Sequence, residues 1–313
     1  MVEPLPSITE HSCRYGKMLA LSNDTVIGRS LAFYGEWSEH ELECLHPYVP
    51  VGGTVVDVGA NIGTHTLAFA KWVGPGRVIS VEPQPVIHGL LTTNCLLNGH
   101  WNVEAVNALC SNRAGWAHVE VDYGSTENSG AITFRAHAGI RDRSPWARVR
   151  SLVRPAGTKS VPIVRLDDIL AGRNADFLKL DIEGMELECL QGAKQTLLRC
   201  KPAIFMEQSD TSALPLLHDL LSRLRYDCYW LETHPFNRNN FRGATKNLWW
   251  RTETGILALP QSLPRPFGLT AVQPTDTQPP SLLDARQGIA IPEAGNSIRP
   301  SNTGGRQAKG SSI

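Results

Sequence analysis

The sequence has no net charge, no long apolar run and no paired-cysteine motif, and each absence excludes a class of protein. Lys plus Arg and Asp plus Glu both number 30 in 313 residues, so bulk charge does not favour nucleic acid or an anionic membrane as a partner. No run of about eighteen apolar residues predicts a transmembrane helix, and the first residues lack the basic-then-apolar pattern of a secretion signal. We therefore expect no membrane span and no nucleic-acid partner.

Cysteine is sparse and scattered along the chain. The seven cysteines are an odd number and form no C-x-x-C pair, which disfavours a zinc site or a disulfide framework. We predict buried free thiols, a reducing cytoplasmic compartment and no metal site. The hydrophobic fraction of 42% is sufficient for a sizeable core.

What the chain does contain is a strand, a glycine turn and a helix in direct succession. The β-branched run 54–58 predicts a buried strand, and apolar residues at steps of three or four from Ile62 predict a helix to about Val73. Gly59 and Gly63 bracket the turn, where the missing Cβ atoms let a ligand approach the backbone. Because a helix N-terminus offers unpaired N–H groups, the pattern favours nucleotide binding over an ordinary strand–turn–helix.

The spacing of this turn disfavours a dinucleotide. It reads G-x-x-x-G instead of G-x-G-x-x-G, with Ala60 and Asn61 where a pyrophosphate cradle needs glycine. Asp57, inside the strand, would repel a pyrophosphate but suits a ligand that carries an amine. Glu82 ends the next predicted strand, about twenty residues after the turn, where an acid can bind both ribose hydroxyls. These features favour S-adenosyl-L-methionine, which has an amine and a sulfonium but no phosphate.

A second group of polar residues interrupts an apolar strand. The run 177–182 predicts a central strand, yet Lys179 and Asp181 lie two residues apart in it and therefore on one face. Two charges in a sheet core are costly unless they are paired or used. Asp181 is therefore our candidate to orient or deprotonate an acceptor hydroxyl, with Lys179 setting its charge, and Glu183 is predicted to open the next helix. A structural ion pair with a helix cap is the alternative.

Three further candidates lie at strand ends or in loops. Asn107 follows a third predicted strand, and its amide fits either the edge of an adenine or a strand-end turn. Glu207 ends a later strand, and a divalent ion bound at Asp181 with either Glu183 or Glu207 is a weaker alternative. His234 is a candidate base, although a lone loop histidine more often has no such role.

The N-terminal residues 1–50 form a predicted preamble to the core. We expect a loose arm, a hairpin that turns at Asn23-Asp24, and a helix opened by a capping box of Ser38 and Glu41. Three residues just before that helix are a candidate roof for the ligand, with plain packing as the favoured alternative. They are Tyr34, Glu36 and Trp37.

The rest of the chain divides into a catalytic domain and a tail. Residues 51–261 form the predicted domain, with an inserted loop at 112–160. The arginine-rich part of that loop, 138–158, is either a solvated loop or a site for an acidic or phosphate-bearing acceptor. Residues 262–313 are rich in Pro, Gly, Ser, Thr, Gln and Asn, which predicts a disordered tail.

Six separated motifs agree in order and spacing with one family. They read DVGANIG, VEP, NALCSNRAG, VRLDDIL, FLKLDIEGMELECLQGA and KPAIFMEQ. Over roughly residues 30–235 the sequence resembles the FkbM family of methyltransferases. The resemblance implies a class I methyltransferase fold, which is α/β and Rossmann-like. Such a fold has a mostly parallel, doubly wound sheet with helices on both faces, here with a small N-terminal β/α preamble.

The resemblance also implies an S-adenosyl-L-methionine-dependent enzyme, usually an O-methyltransferase, that acts on a small molecule, sugar, glycan or polyketide. The positions that match the family's cofactor residues are Asp57, Gly59, Asn61, Gly63 and Glu82, with Asn107 near the adenine. Ala60, in the same glycine turn, is a further candidate cofactor residue. Those that match the segment close to the transferred methyl are Lys179, Asp181 and Glu183. The arginine-rich insertion and the long tail depart from the family and leave the acceptor open.

Two other functions compete with this interpretation. A nicotinamide-dependent dehydrogenase needs a phosphate-tolerant glycine loop, and Asp57 and Ala60 argue against one. A non-catalytic protein that binds an adenosine ligand would keep Asp57 and Glu82 but would not need Lys179 or Asp181.

Overall fold

The helices and strands are described from a computed structural model for residues 6–120, 123, 158–208, 211–276 and 278–279. The strands are β1 (Ile8–Cys13), β2 (Gly16–Leu21), β3 (Thr54–Val58), β4 (Arg77–Val81), β5 (Val103–Val106), β6 (Leu109–Cys110), β7 (Gly115–Glu120), β8 (Thr158–Val164), β9 (Phe177–Leu180), β10 (Ala203–Glu207), β11 (Tyr226–Thr233) and β12 (Glu253–Pro260). The helices are α1 (Ile27–Tyr34), α2 (Glu39–Leu45), α3 (Thr64–Val73), α4 (Pro85–Leu97), α5 (Leu166–Leu170), α6 (Glu186–Gln191), α7 (Lys194–Cys200) and α8 (Leu214–Arg223).

A seven-stranded sheet organises the fold. Its strand order is β5-β4-β3-β9-β10-β12-β11, and only β12 runs antiparallel to its neighbours among these strands. The inner strands are apolar because both faces are covered. Val56 and Leu178 belong to one core cluster, while Val55 and Phe177 belong to the cluster on the opposite face. The predicted doubly wound, mostly parallel α/β sheet is confirmed.

The order of the strands creates a crevice at the middle of the sheet. From β3 the chain builds outward through β4 to β5, and it then returns to place β9 on the other side of β3. The connections therefore leave β3 and β9 in opposite directions. In open α/β sheets, ligands bind at the carboxyl ends of the strands at such a reversal, and the glycine turn follows β3 at that point.

The N-terminal hairpin differs from the predicted one. It joins β1 to β2, and Cys13 pairs with Gly16, so the turn lies at residues 14–15. The expected turn at Asn23-Asp24 is wrong because Asp24 Oδ1 accepts the N–H of Val26 at 2.9 Å, next to the start of α1. A polar pair that is typical of a hairpin turn therefore leads into a helix here.

The predicted capping box at α2 is also wrong. Ser38 has a φ of 49°, and its hydroxyl donates to Glu253 Oε2 at 3.1 Å instead of capping the helix. Glu41 lies 3.0 Å from the ring of His65, measured from Oε1 to Nε2. Long-range polar contacts therefore replace the local cap, and they tie α2 to the main sheet.

A second, smaller sheet has the order β6-β8-β7. β7 pairs antiparallel with β8. β8 then leads into the short helix α5. Most of the arginine-rich segment, residues 138–157, lies outside the described part.

The segment after β12 is ordered further than the sequence predicts. Ala271 bridges Tyr229 of β11, and Asp276 Oδ2 accepts the indole N–H of Trp230 at 3.0 Å. Val272 is buried in the core. The predicted disorder from residue 262 is therefore wrong as far as Asp276, because this segment covers the edge strand of the sheet. No helix among the described residues is both long and apolar enough to cross a bilayer.

Candidate active site

A cavity of about 390 Å³ lies at the crevice predicted by the strand order, and its size is typical of small-molecule sites. Gly59 and Asn61 of the turn after β3 line it together with Glu82, which follows β4. Asp181 and Glu183 line it from the turn after β9. The structure therefore brings the two predicted polar groups to one cavity.

The glycine turn is shaped by neighbouring strands and helices as well as by a ligand. Gly59 has a φ of 78°, and a Cβ at this position would overlap the carbonyl oxygen of Asp181. Gly63 has a φ of 95°, and its Cβ would come within 2.8 Å of Leu91. Ala60 packs in an apolar cluster. Among the described residues, neither Ala60 nor Gly63 belongs to the cavity wall, so these two predicted cofactor residues support the turn from behind.

Glu82 is the acid on the cofactor side of the cavity. Its Oε2 accepts the N–H of Asn61 at 3.0 Å and its Oε1 accepts the N–H of Gln84 at 2.8 Å. Burial raises the pKa of Glu82 to about 7, even though these hydrogen bonds favour the charged form, and the charge of Asp181 adds to the increase. A buried carboxylate of this kind can accept hydrogen bonds from a ligand's hydroxyls without competition from water.

Asp57 does not reach the cavity, contrary to the prediction that it contacts the amine. It is fully buried and is not among the described wall residues. Its Oδ2 accepts the hydroxyl of Thr66 at 2.6 Å, and its Oδ1 lies 3.9 Å from Lys179 Nζ. Because side chains alternate along a strand, Asp57 points to the face covered by α3 and not beyond the strand end.

Asn107 also lies outside the described cavity wall. Its side-chain amide donates to the carbonyl oxygens of Glu82 at 2.8 Å and Pro83 at 3.0 Å. These bonds hold the segment after β4 in place, which favours the strand-end alternative over contact with an adenine.

Lys179 and Asp181 form the buried pair that the sequence indicates. Lys179 Nζ donates to Asp181 Oδ2 at 3.0 Å; the lysine is 2% exposed, while the aspartate side chain is 32% exposed to the cavity. Burial opposes the charge of Asp181, but the Lys179 ammonium offsets it and lowers the pKa of the aspartate. Asp181 is therefore an ionised group in the wall, and Lys179 lies behind it.

Glu183 lines the cavity but does not open a helix. It has a φ of 50°, the following Gly184 has a φ of 89°, and α6 begins only at Glu186. The two left-handed residues make a turn between β9 and α6. The predicted helix start at Glu183 is therefore wrong, although its place beside Asp181 is confirmed.

Glu207 lies beside Asp181 at the end of β10. Met206 pairs with Leu180 in the parallel ladder, so the next residues of both strands are neighbours on one face. The charge of Asp181, burial and hydrogen bonding to Asp181, in that order, raise the pKa of Glu207 well above its usual value. Two adjacent carboxyl groups of this kind hold one proton between them.

The sequence did not reveal the opposite wall, which comes from distant segments. Glu41 of α2 and His65 of α3 face each other across 3.0 Å, and both are buried. Glu253 accepts a hydrogen bond from Arg251 at 2.8 Å, and all four residues line the cavity. Only His65, two residues after Gly63, lies close to a recognisable motif; the others have no local signal.

Of the three candidate roof residues, one lines the cavity. Trp37 lines the cavity, whereas the Tyr34 hydroxyl donates to the carbonyl of Lys246 at 3.0 Å and Glu36 pairs with Arg14 at 2.7 Å. The candidate base His234 stacks on the ring of His40 instead, with 5.8 Å between the ring centroids. In the described residues, no three His, Cys, Asp or Glu side chains are grouped to hold a metal ion.

Comparison of the sequence with known families identifies the family. A family model for the methyltransferase FkbM domain matches residues 57–228, more than half of the chain. The chain therefore belongs to the FkbM methyltransferase family.

Two curated methyltransferases are similar to the chain. Methyltransferase sdnD of Sordaria araneosa is 25% identical over 196 residues, which cover 57% of this chain and 75% of that protein. Hexuronic acid methyltransferase AglP of Haloferax volcanii is 28% identical over 145 residues, which cover 45% of this chain and 50% of that protein.

Solved methyltransferase structures are also similar. Methyltransferase FkbM from Methylobacillus flagellatus KT is 18% identical, with a TM-score of 0.41, and the match covers 66% of this chain and 43% of that one. Precorrin-6y C5,15-methyltransferase from Geobacter metallireducens GS-15 is 13% identical, with a TM-score of 0.42, and the match covers 70% of this chain and 86% of that one. The chain thus spans less than half of the first of these structures.

Proposed function

We propose that the chain transfers a methyl group from S-adenosyl-L-methionine to a hydroxyl oxygen of a small molecule, sugar or polyketide. The observation that carries the proposal is that Glu82 and Asp181 open into one cavity from either side of β3. Glu82 is suited to ribose hydroxyls and Asp181 to an acceptor hydroxyl. Membership of a methyltransferase family supports the assignment.

The residues on the Glu82 side fit this cofactor. The Glu82 carboxylate would accept the ribose hydroxyls, and the backbone at Gly59 and Asn61 forms the adjacent wall. When bound, the cofactor supplies an activated methyl group on a sulfonium. Asp57 lies behind the cavity wall, where it accepts a hydrogen bond from the Thr66 hydroxyl and lies near the Lys179 ammonium.

Asp181 performs the chemistry that the protein itself must supply. Its carboxylate accepts a hydrogen bond from the acceptor hydroxyl and takes the proton as the oxygen becomes a nucleophile. Lys179 keeps Asp181 ionised before that step through their contact of 3.0 Å. The protein's second contribution is to hold the acceptor oxygen in line with the methyl group, because such orientation lowers the barrier by several kcal/mol.

The remaining wall favours an acceptor rich in hydroxyl groups. Glu41 and Glu253 line it together with Asp181, and carboxylates accept the hydrogen bonds that hydroxyls donate. The relative AglP is named as a hexuronic acid methyltransferase, which supports a sugar as one class of acceptor. An acceptor of this type would contact three or more of these oxygens at once.

The test is the turnover of Asp181→Asn against a library of hydroxylated acceptors, with release of S-adenosylhomocysteine as the readout. We expect a loss of about 10²- to 10⁴-fold in rate with unchanged affinity for S-adenosylhomocysteine. Asp168→Asn is the matched control, because Asp168 pairs with Arg165 on the exposed surface at 2.6 Å. A near-normal rate for Asp181→Asn would remove Asp181 from the mechanism, and binding of NAD in place of S-adenosylhomocysteine would refute the cofactor.

A further inference from the structure

One acidic residue of the cavity wall, Glu207, has no assigned role in the reaction above. It follows Met206, which pairs with Leu180, so it stands directly beside Asp181 on the same face of the sheet. Both residues line the cavity, and the strand register makes their carboxyl groups neighbours. Asp181 is therefore held from two sides, by Lys179 along its own strand and by Glu207 across the ladder.

Three carboxyl groups, those of Asp181, Glu41 and Glu253, act on the charge of Glu207. Glu41 approaches from α2 and Glu253 from β12, while Lys179 is already bonded to Asp181. The two nearby basic side chains face other partners: the His65 ring lies against Glu41, and Arg251 pairs with Glu253. A second negative charge beside Asp181 would therefore meet repulsion from three carboxylates.

We propose that Glu207 is a positioning residue that stays protonated and donates its O–H to Asp181, which leaves the other lone pairs of Asp181 for the acceptor hydroxyl. This inference rests on the proposed function of Asp181. The reaction gains no additional step: the acceptor hydroxyl loses its proton to Asp181, and Glu207 keeps its own proton throughout.

The direction of the titration agrees with this geometry. The charge of Asp181 and burial both raise the pKa of Glu207, and Glu41 and Glu253 act in the same direction. In the unfolded chain a glutamate ionises near pH 4.3. Between the two pKa values the folded protein binds the extra proton, so the wild-type protein loses stability as pH rises.

The first experiment measures thermal unfolding of the full chain without ligand from about pH 5 to pH 9. We compare the wild type with Glu207→Gln, which keeps a neutral donor at this position, and with Glu10→Gln, which changes an exposed glutamate paired with Lys17. The midpoint of Glu207→Gln should rise relative to the wild type as pH increases, while that of Glu10→Gln should not. A difference that stays constant or falls with pH would overturn the proposal.

The second experiment measures methyl transfer. Glu207→Ala removes the hydrogen bond to Asp181 and should lower the rate about 10- to 100-fold, the usual effect of losing a bond to a charged group. Glu207→Gln should recover most of that loss, because its amide also donates to Asp181. Equal loss in both variants would show that an ionised Glu207 is needed, and would refute the assignment.

The two experiments separate this inference from the proposed function. If no acceptor is methylated even by the wild type, the proposed function fails, yet the unfolding measurements still decide whether Glu207 holds a proton. If methylation proceeds but the Glu207→Gln midpoint shows no rise with pH, only the present inference fails.

Discussion

Replacing Glu82 by Gln should change the stability of the protein in a pH-dependent way. A glutamate with a pKa of about 7 in the folded state, instead of its usual 4.5, costs the folded protein about 3 kcal/mol above pH 7. Glutamine avoids that cost because it carries no charge. However, Glu82 accepts hydrogen bonds from the backbone N–H groups of Asn61 and Gln84. The NH₂ group of the glutamine would face one of these two donors and lose that hydrogen bond, which costs about 2 kcal/mol.

The charge penalty and the lost hydrogen bond together predict that the stability difference between Glu82→Gln and the wild type changes sign with pH. In the wild type the group binds a proton on folding, so its stability is greatest below pH 4.5 and declines as pH rises toward 7. At about pH 5, Glu82→Gln should be less stable than the wild type by about 1 to 2 kcal/mol, because the lost hydrogen bond dominates. At about pH 8.5 it should be more stable by about 1 kcal/mol, because the charge penalty dominates.

Urea denaturation at several pH values measures these differences directly, and calorimetry with S-adenosylhomocysteine measures the cost in binding. We expect the affinity of Glu82→Gln to fall about 10- to 100-fold, because a charged acceptor for the ribose hydroxyls is lost. The reasoning would be refuted if the stability difference between Glu82→Gln and the wild type did not vary with pH. Unchanged affinity would instead refute the ribose role.

Two further predictions concern the frame of the site. Gly59→Ala should lower the unfolding free energy by about 3 kcal/mol or more, because the added Cβ would overlap the carbonyl oxygen of Asp181. Gly52→Ala is the control, since Gly52 has a similar φ of 79° but open space around it. Urea denaturation should show a loss of only about 1 kcal/mol for this control. Asp276→Ala should lower the unfolding free energy by about 1 to 2 kcal/mol through loss of the Trp230 indole bond, and an unchanged midpoint would show that the segment after β12 does not stabilise the sheet.

The sequence predicted the parts of the fold that depend on local patterns. The inner strands read as apolar runs because they are buried on both faces, and the glycine turn after β3 needs residues that tolerate a positive φ, as Gly59 does. Lys179 and Asp181 were recognisable because two charges contradict the apolar pattern of their strand. These features are short-range, so sequence is sufficient to find them.

Several of the errors arise where a distant partner or the strand geometry outweighs a local preference. Ser38 has the sequence of a helix cap, but its hydroxyl bonds to Glu253, which lies 215 positions further along the chain. Asp57 has the spacing of a ligand contact, but strand alternation turns it toward Thr66. The Glu41–His65 contact unites α2 with α3, and no spacing within either helix reveals it.

The cavity wall has two origins. Its Glu82 and Asp181 sides lie within residues 57–228, the region shared with the family, whereas Trp37, Glu41 and the 251–254 segment lie outside that region. A chimera that exchanges only these flanking pieces with those of another family member would therefore be expected to alter which molecule is methylated while the donor stays the same. The proposed function thus assigns acceptor specificity to segments that flank the shared region, which can stay unchanged while they vary.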